Sequence, residues 1–300
     1  MSQTTPHLGP DFGARDANIR CQTYSPVQRL PGVPLETFAA YWRDVHGPLC
    51  SRLPGLGYYV QFHFSRENFA NLWPLPKGVA RIDFPLDGAV EIGFPDADDM
   101  GAFGLASPIL FGDEINVFGW DAAFFLPNGS RTFVDRQEDA IPNGPDKLHR
   151  LHVYMHGSLD AAFKDWAGKF AATLATDARV LKLRLHVPEP FDNANPQPPS
   201  PVDHHVRDDM LKLAVMEIGF ETPLTARQFF EGDAFKATQE EQALHVKAMA
   251  AYLVTGVHTF VRDSTPTTAG LRGSRVAEII ERTGATNHLQ PQVTSLFTRR

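Results

Sequence analysis

Phe38-Ala-Ala-Tyr-Trp-Arg-Asp-Val-His46-Gly-Pro-Leu, followed closely by Leu53-Pro-Gly-Leu-Gly-Tyr-Tyr59-Val-Gln61-Phe-His63, reads as an amphipathic helix that feeds a strand. Phe38, Tyr41, Trp42 and Val45 recur at helical spacing, while Tyr59, Gln61 and His63 alternate with Val60 and Phe62, so three polar-tipped side chains share one strand face. His46 follows Trp42 by one turn and stands beside Gly47-Pro48, which predicts that the helix ends there. At a helix C-terminus an imidazolium is favoured, which suits a general acid; the same ring could equally bond the last helical carbonyls.

An internal echo organises the rest of the chain. Val90-Glu91-Ile-Gly-Phe94 returns as Met216-Glu217-Ile-Gly-Phe220, an offset of 126 positions from Glu91 to Glu217. Before each copy the pattern predicts strand, helix and strand: 19–24, 35–49 and 58–64 in the first half, 151–155, 159–174 and 180–187 in the second. After each copy come a helix start, at Pro95 and Thr222, and a last strand, at 122–126 and 254–261. Each half therefore reads β-α-β-β-α-β, the ferredoxin-like split motif. A lone sheet of this kind leaves one face uncovered, so the expected fold is α+β, with two tandem ferredoxin-like units building one intrachain, pseudo-dimeric α+β barrel. The expected boundaries are 1–140, 141–268 and a helical tail at 269–300, with the tail helix starting near Ser274 and packing across the barrel or onto a second subunit. Both halves carry a long excursion between their second and third strands, Ser65 to Pro85 with Trp73 and Pro188 to Asp209, and loops of this length are either lids or Pro-rich packing segments.

Composition narrows the classes of function. A net charge of −7 without a basic block argues against nucleic acid and anionic membrane surfaces as partners. No apolar stretch reaches the roughly 18 residues of a spanning helix, and the N-terminus lacks a basic segment followed by an apolar run, so a cytoplasmic location is expected. Cys21 and Cys50 form no ligand cluster. The 22 phenylalanines against 6 tyrosines predict large dry surfaces, in the core or in a pocket for an aromatic ligand. Asp203-His204-His205 lacks the i, i+4 spacing that aims two imidazoles at one ion, so no metal is expected. No G-x-G-x-x-G opens a helix after a strand, no phosphate-loop lysine is present and no serine sits in a nucleophile elbow, so no cofactor is expected either.

The stretch from Phe38 to His63 resembles the EthD family of the dimeric α+β barrel superfamily, in which an aromatic-rich helix runs into His-Gly-Pro, Pro-Gly-Leu and Tyr-Val-Gln. The resemblance implies an acid-base histidine in a sheet-helix cavity, carried here onto His46 and less firmly onto His63. It also implies cofactor-free cyclases, isomerases, dehydratases, decarboxylases or monooxygenases of aromatic or polyketide-like compounds. Glu91, on the strand expected beside Gln61 and His63, is read as the carboxylate that supports a histidine, or as part of a satisfied polar layer. Tyr59, Gln61, Tyr41, Trp42 and Trp73 are candidate substrate contacts in the first half; His152, Tyr154, Arg184 and Glu217 are candidates in the second, with an Arg184–Glu217 ion pair as the simpler reading of the last two. The second half has Phe170 where the first has His46, four residues beyond Trp166. The expected activity is that of a lyase, a decarboxylase or dehydratase, on a small phenolic or similarly conjugated substrate. A cofactor-independent monooxygenase, an isomerase or cyclase, and a non-catalytic binding protein are the alternatives, and the partners expected are that substrate and a possible second copy of the chain.

Overall fold

The computed structural model describes residues 11–66 and 72–298, so part of the first excursion, 67–71, lies outside the described residues. In the first half, β1 (Cys21–Arg29) leads into α1 (Leu35–Tyr41), a π-helical turn (Trp42–His46) and α2 (Gly47–Cys50), then β2 (Tyr58–Phe64), a short β3 (Ala80–Arg81) and β4 (Gly88–Phe94). There follow α3 (Ala97–Ala106), α4 (Pro108–Glu114) and a last strand broken into β5 (Phe118–Asp121), β6 (Phe124–Leu126) and β7 (Arg131–Asp135). The second half runs from a short β8 (Asn143–Pro145) through β9 (His149–Gly157), α5 (Ala161–Ala175), β10 (Val180–His186) and β11 (Leu213–Phe220) to α6 (Pro223–Glu231), α7 (Asp233–Lys236), α8 (Gln239–His245) and the long β12 (Val246–Arg262). Asp96, Asp160 and Thr222 cap α3, α5 and α6 by accepting from the backbone N–H three residues on.

The strand order is β5-β1-β4-β2-β12-β9-β11-β10-β7. In each half the first and third strands lie centrally, which is the ferredoxin-like arrangement expected from the repeat. The halves are joined by sharing last strands. β12 pairs with β9 along Val246–Leu253 and with β2 along Val254–Val261. The broken last strand of the first half does the reciprocal job: β5 and β6 pair with β1, and β7 pairs with β10. The sheet is thereby closed into one barrel within the chain, and each unit's edge is covered by a strand that also belongs to the other. Among the described residues no helix is long and apolar enough to cross a membrane.

Pleating sorts the side chains into three layers. Tyr24, Val60, Phe62, Tyr154, Val215 and Tyr252 point into the barrel; Phe38, Trp42, Tyr59, Val90 and Phe118 pack between sheet and helices in the first half; Val153, Phe163, Trp166, Leu183 and Phe229 do so in the second. The barrel interior is also full of charge. Arg184 donates from Nε to Glu91 Oε2 (3.0 Å), from Nη1 to Asp16 Oδ2 and Thr132 Oγ1 (2.7 Å each) and from Nη2 to Gln22 Oε1 (3.0 Å), so one side chain of the second half binds four residues of the first. Arg262 reaches the other oxygen of Asp16 at 2.7 Å, and Lys182 reaches Asp135 at 2.7 Å. Glu217 stands opposite Arg184 in the ladder, yet its carboxylate pairs with Arg150. The expected Arg184–Glu217 pair is therefore exchanged for two pairings, because the guanidinium is long enough to cross the barrel to Asp16 and Glu91.

The C-terminal segment forms α9 (Thr268–Arg272) and α10 (Ser274–Thr283). It packs across the barrel wall through Ser274, which meets His258 Nδ1 at 2.8 Å and accepts from Asn143 at 3.1 Å. Removing one member of a buried charged cluster leaves its partners unpaired, which costs about 3–5 kcal/mol. Arg184→Met should lower unfolding stability in urea by that amount, because Asp16 and Glu91 lose their shared counter-charge; a loss below about 1 kcal/mol would show that the halves are held together by apolar packing alone.

Candidate active site

The first-half helix does not end at Gly47-Pro48. One extra residue is accommodated in the π turn Trp42–His46, where Gly47 N–H bonds the Trp42 carbonyl five residues back, and the run continues through Pro48 at the start of α2. His46 thus lies in mid-run rather than at a helix terminus, and the dipole argument for an imidazolium at that position lapses. Gly47 brings this turn onto the sheet: a Cβ there would lie 2.4 Å from the Phe260 ring. The result is a buried His46 whose Nδ1 meets Asp113 Oδ2 of α4 at 2.9 Å. Tyr41, one helical turn earlier, donates to the other oxygen of Asp113. The hydrogen bond from His46, followed by that from Tyr41, holds the Asp113 carboxyl below the usual carboxylate range against its partial burial. A carboxylate at Nδ1 fixes the proton there, so the neutral ring keeps Nε2 as its basic atom.

His46 lines a cavity of about 600 Å³ between the sheet and α3 and α4 of the first half. Trp42, Tyr59, Ile92, Phe94, Phe103, Phe111 and Phe118 give it an apolar wall, and Thr23 and Ser25 add hydroxyls from β1. Its size falls within the roughly 300–1,000 Å³ of small-molecule sites. Two carboxyl groups complete the wall. Glu114 is 6% exposed, and burial together with the neighbouring Asp121 charge pushes its carboxyl up to about 7; Oε2 has no hydrogen-bond partner among the described residues. Asp121, at the end of β5, is also raised by burial, while His204 beside it acts in the opposite sense.

The roof comes from the other half. The excursion at 188–209 crosses over β5 and β6, where Ala123 donates to the Gln197 carbonyl (2.7 Å), Glu189 to Phe125 (2.9 Å) and Trp120 Nε1 to His205 (2.8 Å). Gln197, Pro198 and Pro199 close over the cavity. The first excursion makes the reciprocal move. Trp73 donates to Gln242 at 3.2 Å and its ring packs 5.1 Å from Phe230 and 5.2 Å from Phe235. Phe170, the counterpart of His46, stacks on Trp166 at 5.3 Å in the same cluster. Aromatic rings fill the space in the second half that is a cavity in the first.

Of the residues singled out from sequence, His46, Trp42 and Tyr59 line the cavity, and Tyr41 stands behind Asp113. Gln61 is one layer deeper, bonding the Trp42 carbonyl at 3.0 Å and the Tyr59 hydroxyl at 2.7 Å. His63 is separated from the cavity by Trp42, against which its ring stacks at 4.6 Å, and burial pushes its pKa well below the ordinary value. Glu91 is not beside it. Register pairs Glu91 with Val60 and Gln61 with Val90, so Glu91 faces the barrel interior, where it accepts from Gln22 (2.7 Å) and Arg184. His152, Tyr154, Arg184 and Glu217 lie in the same filled interior: Tyr24 OH bridges His152 Nδ1 (2.7 Å) and Tyr154 OH (2.9 Å). Trp73, expected at a ligand, is core of the second half. Asp113, Glu114 and Asp121 are site residues that sequence reasoning missed, and His204 is weighed there only as a metal ligand; the signal for the first two is an acidic doublet flanked by the apolar residues Ile109, Leu110, Phe111, Ile115, Val117 and Phe118. Among the described residues no group of three His, Cys, Asp or Glu side chains converges where a metal ion could sit.

The EthD domain family model matches residues 30–109, the stretch that contains α1 to α3 and His46, and so bears out the resemblance read there. A search of curated proteins gives no match. Solved structures align along most of the chain. One is a Fusobacterium nucleatum subsp. nucleatum ATCC 25586 protein named "Putative monooxygenase", at 8% identity over 83% of this chain and 96% of that one, TM-score 0.48. Another is an anthrone oxidase-like protein, at 10% identity over 83% and 96%, TM-score 0.49. A third is chlorite dismutase from Candidatus Nitrospira defluvii, at 8% identity over 79% and 92%, TM-score 0.36. Identities and scores of this size leave activity untouched, and the fold rests on the strand order given above.

Gly104 stands at the cavity rim, and a Cβ added to it would meet nothing within 4 Å. Gly104→Leu should keep or raise the melting temperature, since leucine is the better helix former by about 1 kcal/mol, while weakening the quenching of Trp42 fluorescence by apolar ligands; undiminished quenching would place the ligand elsewhere. Trp73→Ala should do the opposite, costing about 3–5 kcal/mol in urea unfolding with quenching retained.

Proposed function

We propose that the first-half cavity is the active site of a cofactor-independent lyase, of dehydratase or decarboxylase type, acting on a small aromatic or polyketide-like compound. The observation that carries this reading is the pairing, on one apolar wall, of a histidine braced by a carboxylate with a buried carboxyl that burial and the Asp121 charge push up to about 7. His46 is the base and Glu114 the acid. In a dehydration, Nε2 of His46 takes the proton from the carbon next to a carbonyl or ring, and the freed electron pair forms the double bond. The leaving hydroxyl then takes the Glu114 proton and departs as water. In a decarboxylation the electrons of the breaking C–C bond enter the conjugated system, and Glu114 returns a proton to carbon. Asp113 keeps the His46 tautomer and steadies the imidazolium as it forms. Tyr59, hydrogen-bonded by Gln61, orients a polar substituent in this reading, and the aromatic wall takes a flat substrate.

The test is turnover of phenolic acids and hydroxylated aromatic ketones, followed by mass spectrometry for water loss, carbon dioxide release and oxygen uptake. His46→Ala and Glu114→Gln should each lower the rate by about 10²–10⁴, and the wild-type rate should fall above about pH 7, where Glu114 loses its proton. Oxygen uptake on turnover would replace the lyase by a cofactor-independent monooxygenase. Ligand binding without product, unchanged in His46→Ala, would make the protein a binding module.

A further inference from the structure

Glu114 and Asp121 are two buried carboxyls in one wall, and like charges so placed do not both ionise readily. Something decides which of them holds the proton, and the strap from the second half carries the group that does. His204 Nδ1 lies 2.9 Å from the backbone carbonyl oxygen of Asp121 and 2.7 Å from its Oδ1; Nε2 lies 3.1 Å from the Ser200 carbonyl oxygen. Nδ1 stands between two acceptor oxygens of Asp121 and so carries a hydrogen, while Nε2 also lies 3.0 Å from the Ser200 hydroxyl, which can donate or accept; it is the carboxylate at 2.7 Å that favours the charged ring. Its carboxylate partner is Asp121. Oε2 of Glu114 and Oδ1 of Asp121 both lack a well-aligned hydrogen bond among the described residues, but Oδ1 has the His204 ring against it, whereas Glu114 lines a largely apolar cavity with no such ion pair.

We propose that His204 is a positioning residue: with Nδ1 held 2.7 Å from the Asp121 carboxylate, it pins Asp121 in the ionised form and so leaves Glu114 as the carboxyl that carries the proton in the cavity wall. The inference rests on the reading of Glu114 as proton donor, and it makes the second half responsible for the protonation state of a site in the first. The charged and titratable groups facing Glu114 are few. Asp121 on β5 raises it, His46 on the π turn lowers it, as do the Ser200 hydroxyl and His204 on the strap, and Cys50 and Tyr59 from α2 and β2 stay neutral. The ring itself is raised to about 9 by the Asp121 contacts and the Ser200 carbonyl acting against burial. Without the His204 charge, the more deeply buried Asp121 is the better place for the shared proton, and Glu114 ionises.

Infrared difference spectroscopy on protein labelled with ¹³C-carboxyl glutamate or aspartate reads this directly and needs no substrate. The wild type should show a protonated glutamate carboxyl that disappears with a midpoint near 7 and is missing in Glu114→Gln. In His204→Gln that midpoint should fall by about one pH unit or more, with a protonated aspartate appearing in its place. If that variant does not fold, Asp121→Asn serves: it removes the charge that raises Glu114 and keeps the one that lowers it, so the midpoint must fall there too. An unchanged midpoint in the folded variant, or no protonated glutamate in the wild type at pH 6, overturns the proposal. Turnover that survives His46→Ala and Glu114→Gln while the infrared result holds would instead overturn the lyase reading and leave the proton placement standing.

Discussion

The barrel depends on where a single guanidinium is satisfied. Arg184 starts from the second half and finds its acceptors in Asp16, Gln22, Glu91 and Thr132, all in the first. Taking such charges out of water is expensive unless every donor is matched, and here the matching partners lie on strands and on the 3₁₀ helix Gly13–Asn18, which barrel closure brings together. The interior is accordingly committed to holding the halves in register. The cavity that holds His46 lies outside the sheet, beneath the helices.

That outer layer is treated differently in the two halves. In both, an excursion from one half lies over the helical side of the other. Where the strap at 188–209 crosses the first half it roofs a cavity; where Trp73 reaches the second half it completes a cluster with Phe170, Phe230 and Phe235. The replacement of His46 by Phe170 is one part of this change, and the filling of the surrounding volume is the other. An imidazole in a dry aromatic cluster would have no partner, so the two changes go together.

The repeat, the element order and the strand arrangement were legible because period-2 and period-3.6 patterns and the recurrent Glu-Ile-Gly-Phe fall at matched positions. The side of the sheet on which each residue stands was not. All seven residues of β2 are buried, so polarity along the strand does not tell the barrel side from the helix side. Placing Glu91 beside His63 required the register between β2 and β4, and a shift of one residue sends the carboxylate through the sheet. His46 was legible from its motif, but Asp113 is 67 positions away on a helix whose packing no local pattern predicts. The helix end expected at Gly47-Pro48 failed for a local reason: a π turn takes up the proline, and that alternative has no composition of its own.

Exchange of straps and last strands also changes what a substitution does. In a two-fold dimer every replacement falls on both sites at once, so a residue that fills one pocket fills its mate. Here each position is met once. One half is free to become a wedge that braces its neighbour, while the other keeps an open chamber, and the described residues build one chamber of this kind rather than two. Titration with any tight ligand of that chamber would saturate at one molecule per chain, and the pseudo-symmetry of the fold would be invisible to binding.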